Sequence, residues 1–459
     1  MKNLTFILLL LSITLYGSKQ EKKKEYICLP CKDSCDLEIF DHNGPCSTCK
    51  MELVEKGTYN KTLTKDQITE DFTVLITTLK NNHPGIYDYQ SENDFNQTIT
   101  SLKAQIPSAK NVLDEYKIMS KLISSVSDAH TYVMNPYYQN ILQEELLFPI
   151  IPKVDNNKIL IDGERLKSIN GYQEEEILNR LQAFSNSDGN TIPYKNAFIE
   201  MEFPIKYFTF IDNSQTFEVV LANGKTRTLE GKSFFKSGLR NKQSRPSFSV
   251  NGNNAILKIP SWEDETATSF NRNLDEMAKN STLGKFIKKS LETTIKAQTK
   301  HLIIDLRGNK GGKSGPAAIL LRYLINKPFA YYNQIKVSSD SFPTKKHITN
   351  KELVAFYESE DSKKLITKVE GSYFFKKELL PTILPQLDSF SGSVEILVDK
   401  YSLSVSTDVV AILKKNREVK ITGDEIGGSL EHYCAGNYIN LKLPNSGIEV
   451  NIPLQRLAY

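Results

Sequence analysis

The chain contains no H-E-x-x-H pair, which excludes the helix that holds a catalytic zinc between two histidines and a general base. It has no dinucleotide-binding glycine pattern and no phosphate loop. A Gly-Lys-Ser does occur at 312–314, but the position five residues before Gly312 is Arg307, where a phosphate loop requires glycine. Coiled-coil heptads, low-complexity stretches and a clear interdomain linker are absent. There is no excess of one charge: 58 Lys and Arg against 54 Asp and Glu leave +4, too even to argue for nucleic acid or a membrane surface. No apolar run reaches the length of a comfortable membrane span. Outside a short N-terminal stretch, cysteine is nearly missing too.

The length, 459 residues with 39% hydrophobic content, suits two to four units with real cores. Residues 1–17 have the form of a secretory signal: Lys2, an apolar core from Leu4 to Leu15, then Gly17 and Ser18. No cysteine follows directly, which argues against a lipid anchor. The mature protein is therefore expected to be exported, periplasmic or extracellular.

Five of the six cysteines fall between Cys28 and Cys49. Cys28 and Cys31 form one C-x-x-C pair, and Cys46 and Cys49 form another across a loop carrying an Asn43-Gly44-Pro45 turn. Two such knuckles present four thiolates to one tetrahedral ion, and so short a segment cannot fold on hydrophobic content alone. Zinc at Cys28, Cys31, Cys46 and Cys49 is the first expectation. Cys35 and His42 are spare soft ligands that keep copper open, and a pair of disulfides is the alternative for an exported chain. The order Tyr26-x-Cys28, then Gly44-Pro45-Cys46-x-x-Cys49-x-Met51-x-Leu53, resembles the small heavy-metal-binding module attached to metal-handling proteins. That module more often carries Met-His after its first cysteine, where this chain reaches Cys31.

Thr64 and Gln67 make a capping box before Ile68, Phe72, Leu75, Ile76 and Leu79, which predicts a one-faced helix ending near His83-Pro84-Gly85. A second helix is expected over about 112–126. Ser127-Asp128-Ala129-His130-Thr131 follows at once, and a histidine in such a short turn can be rigid and still face a cleft. Taken alone, His130 reads more simply as a structural histidine. From Phe148 to about Pro246 short strands alternate with turns, with hairpin signals at Asn170-Gly171 and Asn223-Gly224.

His301 to Leu306 reads as a buried strand running into Arg307-Gly308-Asn309-Lys310-Gly311-Gly312. Glycines there let backbone N–H groups point into a cavity, which suits an oxyanion hole as well as a plain turn. Val394 to Val398 is a further buried strand. After it Val405, Val409, Val410, Ile412 and Leu413 recur at helical spacing, so Ser404 stands where strand becomes helix. Free N–H groups and the positive end of the helix dipole gather there and would stabilise an anion. A nucleophilic serine needs that environment; an ordinary N-cap is the plainer reading of this stretch alone.

Together these segments resemble the tail-specific, or C-terminal processing, serine peptidases over about residues 66–459. The resemblance rests on HPG (83–85), SDAHT (127–131), ILKIPSW (256–262), IIDLRGNKGG (303–312), LVDKYSLSVSTDVV (397–410) and ITGDEIGGS (421–429), in the family's order. It implies that Ser404 is the nucleophile and that Gly311 or Gly312, with the Val405 N–H, forms the oxyanion hole. Many members place a base lysine in the glycine-rich turn after the nucleophile helix. Here Gly423 to Gly428 is followed by Ser429, and His130 stands where those members tend to have tyrosine. This looks like the tricorn-type branch, in which histidine activates serine. Asp128, Glu425 and Glu431 are candidates for orienting His130.

The implied fold class is α+β and multidomain: a zinc-ribbon-like Cys-rich head at 25–55, a helical segment at 62–135, a degenerate PDZ-like β region at 145–248, and an α/β (ClpP/crotonase-like) protease core at 252–459. The expected activity is that of an exported serine endopeptidase acting on protein or peptide substrates, with no cofactor for catalysis. The alternative is a catalytically inactive binding protein that keeps the protease fold and a metal-binding head.

Overall fold

The computed structural model describes residues 24–28, 34–134, 141–142, 145–189, 191–233, 244–268 and 273–459, arranged as two compact units, 1–56 and 57–459. The expected signal at 1–17 lies outside the described residues. Among those described, no helix is long and apolar enough to cross a membrane. The smaller unit is built on three two-residue strands, with Tyr26–Ile27 paired to both Ile39–Phe40 and Val54–Glu55.

Among its described residues the larger unit holds three large cores and one small cluster. The first surrounds a five-stranded sheet ordered Ser247–Asn251, Asn254–Lys258, His301–Asp305, Ser393–Val398, Lys420–Gly423. The first pair is antiparallel and the rest are parallel. Parallel neighbours need crossovers, and the helices Thr282–Lys296, Ser314–Leu324 and Val405–Asn416 lie in them. Leu302, Ile304, Val394, Ile396 and Val398 are buried against these helices, which explains why the strands read as continuous apolar runs. The two central strands run side by side, Asp305 opposite Leu397. The loops leaving them, one glycine-rich and one carrying Ser404, therefore emerge together at the carboxyl edge, where ligands bind in open α/β sheets.

The second core joins distant parts of the chain. A six-stranded antiparallel sheet includes Gln334–Val337, His432–Lys442 and Glu449–Ala458, and Tyr132–Met134 adds to the Glu449–Ala458 strand. Ile439, Leu441, Val450 and Ile452 of that sheet are buried with Ile68, Phe72, Leu75 and Leu122 of the N-terminal helices. The helical segment and the C-terminal strands are thus one body. The helix Lys65–Asn82 begins with the expected capping box, Gln67 N–H donating to Thr64 Oγ1 (3.2 Å) and Thr64 N–H to Gln67 Oε1 (2.9 Å). Val112–Val126 is helical as expected.

The third core belongs to the middle region, an antiparallel sheet in the order Thr226–Glu230, Thr216–Leu221, Glu164–Ile169, Lys158–Ile161, Lys153–Asp155. Asn170 and Gly171 both have positive φ, 47° and 84°, the backbone a type I′ turn demands. The strands-and-turns expectation missed one element here, the 19-residue helix Ile192–Phe210. Its Pro193 is tolerated in the first turn. Pro204 is accommodated by a kink, with Glu202 at φ −123° and ψ 16°. Phe203, Ile205, Tyr207 and Phe208 are all buried, so no polar face marks it as a helix.

Candidate active site

The strand Ser393–Val398 leads through Asp399–Leu403 to Ser404, the N-cap of the helix Val405–Asn416. Ser404 has φ 56° and ψ −121°, and its side chain makes no capping hydrogen bond. A non-glycine residue held at positive φ carries backbone strain, of order 1–3 kcal/mol, and an N-cap serine that caps nothing has given up the benefit of its position. The side chain is partly exposed. Both features remove the plain N-cap reading.

The glycine turn is pinned against this junction by Asn309, which is fully buried. Its Nδ2 donates to Ile259 O (2.8 Å), its carbonyl accepts from Leu403 N–H (3.1 Å) and Ser406 Oγ (2.9 Å), and its Oδ1 accepts the Gly311 N–H (2.9 Å). Asn309 thereby occupies the N–H of Gly311, one of the three candidate oxyanion donors. Gly311 serves the site in another way: at φ 105°, a Cβ on it would lie 2.6 Å from Ser404 Cβ. Gly312 pairs with Trp262 through its neighbours, Trp262 N–H donating to Gly311 O (3.0 Å) and Lys313 N–H to Trp262 O (3.0 Å). That bridge leaves the Gly312 N–H itself out. The helix bonds at this end begin with Ser406, Thr407 and Asp408 donating, so the Val405 N–H is also outside them. Gly312 and Val405 are the pair with donors to offer.

His130 follows the Val112–Val126 helix. Ser127, in the left-handed conformation (φ 56°), ends that helix, and the chain turns into the strand Tyr132–Met134. Asp128 closes the turn: its Oδ1 accepts the His130 N–H (3.2 Å), while Oδ2 accepts from Thr131 Oγ1 and His83 Nε2 (3.1 Å). His83 Nδ1 accepts the Gly85 N–H (3.2 Å), which leaves its Nε2 as the protonated nitrogen. The HPG and SDAHT motifs thus form one buried network. The imidazole of His130 lies against the Tyr433 ring, centroids 5.1 Å apart and tilted by 33°. Its Nδ1 is buried without a hydrogen-bond partner. Burial lowers the His130 pKa, while Asp128 and Asp408 pull it upward.

No hydrogen bond joins Ser404 to His130 among the described residues. They are linked through Asp408, one turn beyond Ser404, whose Oδ1 accepts from Tyr433 Oη (2.9 Å) and Tyr459 Oη (2.6 Å) and whose Oδ2 accepts from Tyr331 (2.9 Å) and Tyr332 (3.0 Å). Ala129 also packs against the small cluster of Tyr194, Ala197 and Leu403. Of the residues considered for orienting His130, Glu425 and Glu431 are exposed, and Asp128 stands beside the ring. So does Asp188, which the sequence reading missed: one ring nitrogen of His130 and a carboxylate oxygen of each aspartate lie within 4.8 Å of one another. Asp408 was missed as well, although a carboxylate within the apolar spacing of that helix was the signal.

In the smaller unit the sulfurs of Cys28, Cys35, Cys46 and Cys49 lie within 4.8 Å of one another. Cys28, Cys35 and Cys46 are fully buried, and no disulfide links the described cysteines. The knuckle at Cys46 closes with Cys46 N–H donating to Met51 O (2.7 Å) and Lys50 N–H to Cys46 O (3.0 Å). Cys31 lies outside the described residues, and Cys35 supplies the fourth sulfur of the cluster. Four convergent thiols form a closed donor set, which fits a structural zinc or another soft ion.

Residues 253–432 match the model of peptidase family S41. No curated protein matches the chain. Two solved structures of CPAF share its fold: a mutant at TM-score 0.58 and 13% identity, covering 86% of this chain and 89% of that one, and the mature protein complexed with lactacystin at 0.56 and 13%, covering 85% and 90%. The photosystem II D1 C-terminal processing protease overlaps more loosely, at TM-score 0.40 and 11% identity over 86% and 89% of the two chains. The stretch bearing Ser404, the glycine turn and both central strands is the part that matches peptidase family S41, and that match supports a serine-type peptidase.

Proposed function

We propose that the protein is an exported endopeptidase that cleaves protein substrates through Ser404, with His130 as base. Ser404 attacks the peptide carbonyl while His130 takes its proton and then returns it to the leaving amine; water completes the cycle by hydrolysing the acyl-enzyme. The Gly312 and Val405 N–H groups hold the oxyanion at the positive end of the Val405–Asn416 helix. The observation that carries this reading is the strained backbone of Ser404, whose side chain caps nothing, packed closely against the glycine turn at Gly311. The contact between hydroxyl and imidazole closes when substrate orders the site, as such contacts tighten in substrate complexes. A fluorophosphonate probe tests the reading: it should label the wild type at Ser404. Absence of both labelling and cleavage of an unfolded protein overturns it and leaves the inactive binding protein. Export rests on the composition of residues 1–17.

His130→Ala should lower kcat/KM on the order of 10²–10⁴, the usual contribution of a general base. Because burial holds the His130 pKa low, the base stays neutral into mildly acidic solution. The acid limb of kcat/KM against pH should therefore fall below the ordinary imidazole value of about 6.5. A midpoint above that value would contradict the assignment.

We further infer that the head carries a structural zinc on Cys28, Cys35, Cys46 and Cys49. Cys35→Ser and Cys46→Ser should each lower bound zinc well below one per chain by elemental analysis, and chelation should unfold the head. Equal zinc in the Cys35→Ser and wild-type proteins would return the fourth place to Cys31.

A further inference from the structure

The loop 185–189, Ser-Asn-Ser-Asp-Gly, belongs to the middle region but clasps the histidine turn. Ser124 Oγ donates to Ser185 O (3.1 Å), Asn186 Nδ2 to Thr131 O, Gly189 N–H to Ser127 O (2.9 Å), and Ala129 N–H to Asp188 Oδ1 (3.0 Å). Ser185, Asn186, Ser187 and Asp188 are all buried, polar as they are. A loop of this kind is usually solvated, so its burial calls for a reason. The backbone N–H of Ser429, at the end of the turn that follows the Val405–Asn416 helix, also favours the charged form of Asp188. One carboxylate thus receives an N–H from the loop carrying His130 and feels another from the loop beyond Ser404. Beside it stands the imidazole, within 4.8 Å, with a buried Nδ1 that has no partner.

We propose that Asp188 is a positioning residue of this site, holding the histidine turn through the Ala129 N–H and placing a second carboxylate beside the His130 ring. The inference rests on the Ser404–His130 reading and adds to it what holds the base. When His130 takes the serine proton, the imidazolium needs a nearby negative charge. Asp128 spends much of its charge on His83 and Thr131; Asp188 accepts the Ala129 N–H and faces the ring and His432. Burial and the Asp128 charge push the Asp188 carboxyl up to about 7, and an imidazolium forming at His130 would draw it back toward its charged form. The titratable groups facing it are Asp128, His130 and His432, together with Tyr89, Tyr194, Tyr438 and Cys434.

Asp188→Asn keeps an oxygen for the Ala129 N–H and removes the charge. Without that anion the imidazolium is less favoured, so the His130 ring should titrate at lower pH by NMR. Its signal is identified by its loss in His130→Gln. The acid limb of kcat/KM should move the same way, and kcat should fall roughly 10- to 100-fold with KM little changed, less than loss of the base itself. Thr191→Val is the structural control: it removes the hydroxyl that donates to Asp188 O (2.7 Å) and should lower thermal stability without moving the titration. An unchanged His130 titration in Asp188→Asn, or an equal shift in Thr191→Val, overturns the proposal. A wild type with no Ser404-dependent turnover would refute the peptidase mechanism instead, and the NMR titration would still decide the place of Asp188.

Discussion

Ser404→Ala should abolish cleavage of unfolded protein, with kcat reduced on the order of 10⁶ as when a nucleophilic serine is removed from a working triad. The fold should survive. The strained φ of 56° is imposed by neighbours that do not use the hydroxyl: Asn309 O holds Leu403 N–H, and Ser404 O accepts from Thr407 (2.7 Å) and Asp408 (3.0 Å). Alanine costs no more than serine in that conformation, so the melting temperature should stay within a few degrees. Turnover by the variant at more than a small fraction of the wild-type rate, measured on a fluorescently labelled unfolded protein, would remove Ser404 from the mechanism.

Gly311→Ala is expected to have the second largest effect, and to act on fold and activity together. The added methyl would sit 2.6 Å from Ser404 Cβ and 3.1 Å from both Ser404 Oγ and Leu403 O, at a φ of 105° that alanine resists. Either the serine or the turn must move. Because Asn309 ties the turn to Ile259 and Leu403, displacement carries the Gly312 donor away with it. Loss of one oxyanion donor alone costs on the order of 10²–10³ in rate, and here serine and donor shift at once. Gly308→Ala is the comparison. It has positive φ (79°) but open space around it, so it should cost about 1 kcal/mol of stability and leave turnover near that of the wild type. Equal activities of the two variants would show that the close approach at Gly311 does not matter.

Much of this architecture was legible because it is local. The capping box at Thr64 and Gln67, the paired turn residues Asn170 and Gly171, and the apolar strands before the glycine turn and before Ser404 are each written within a few residues. The helix Ile192–Phe210 was not, since its proline content and its lack of a polar face erase the helical period. Glu92–Lys103, carrying Phe95, Ile99 and Leu102 inward, was legible in principle and passed over. The site divides along the same line. Ser404 and His130 lie in motifs, whereas Asp188 lies in a short polar loop whose sequence alone reads as solvent-facing. Only tertiary contact turns it inward. The choice between Gly311 and Gly312 as donor likewise turned on a side chain, that of Asn309, whose direction no spacing encodes. The same holds for Cys35, which shares no C-x-x-C pair and reaches the other sulfurs through the fold of the head.

The pairing of Tyr132–Met134 with Glu449–Ala458 sets a timetable for the protein. The strand that fixes the exit of the histidine turn finds its partner more than 300 residues further along the chain, and contacts so distant in sequence form slowly. Tyr459, just past that strand, is also one of the four hydroxyls around Asp408. Until that pairing forms, the chain carries Ser404 without a fixed histidine turn. On the Ser404–His130 reading, activity arrives only with that late pairing.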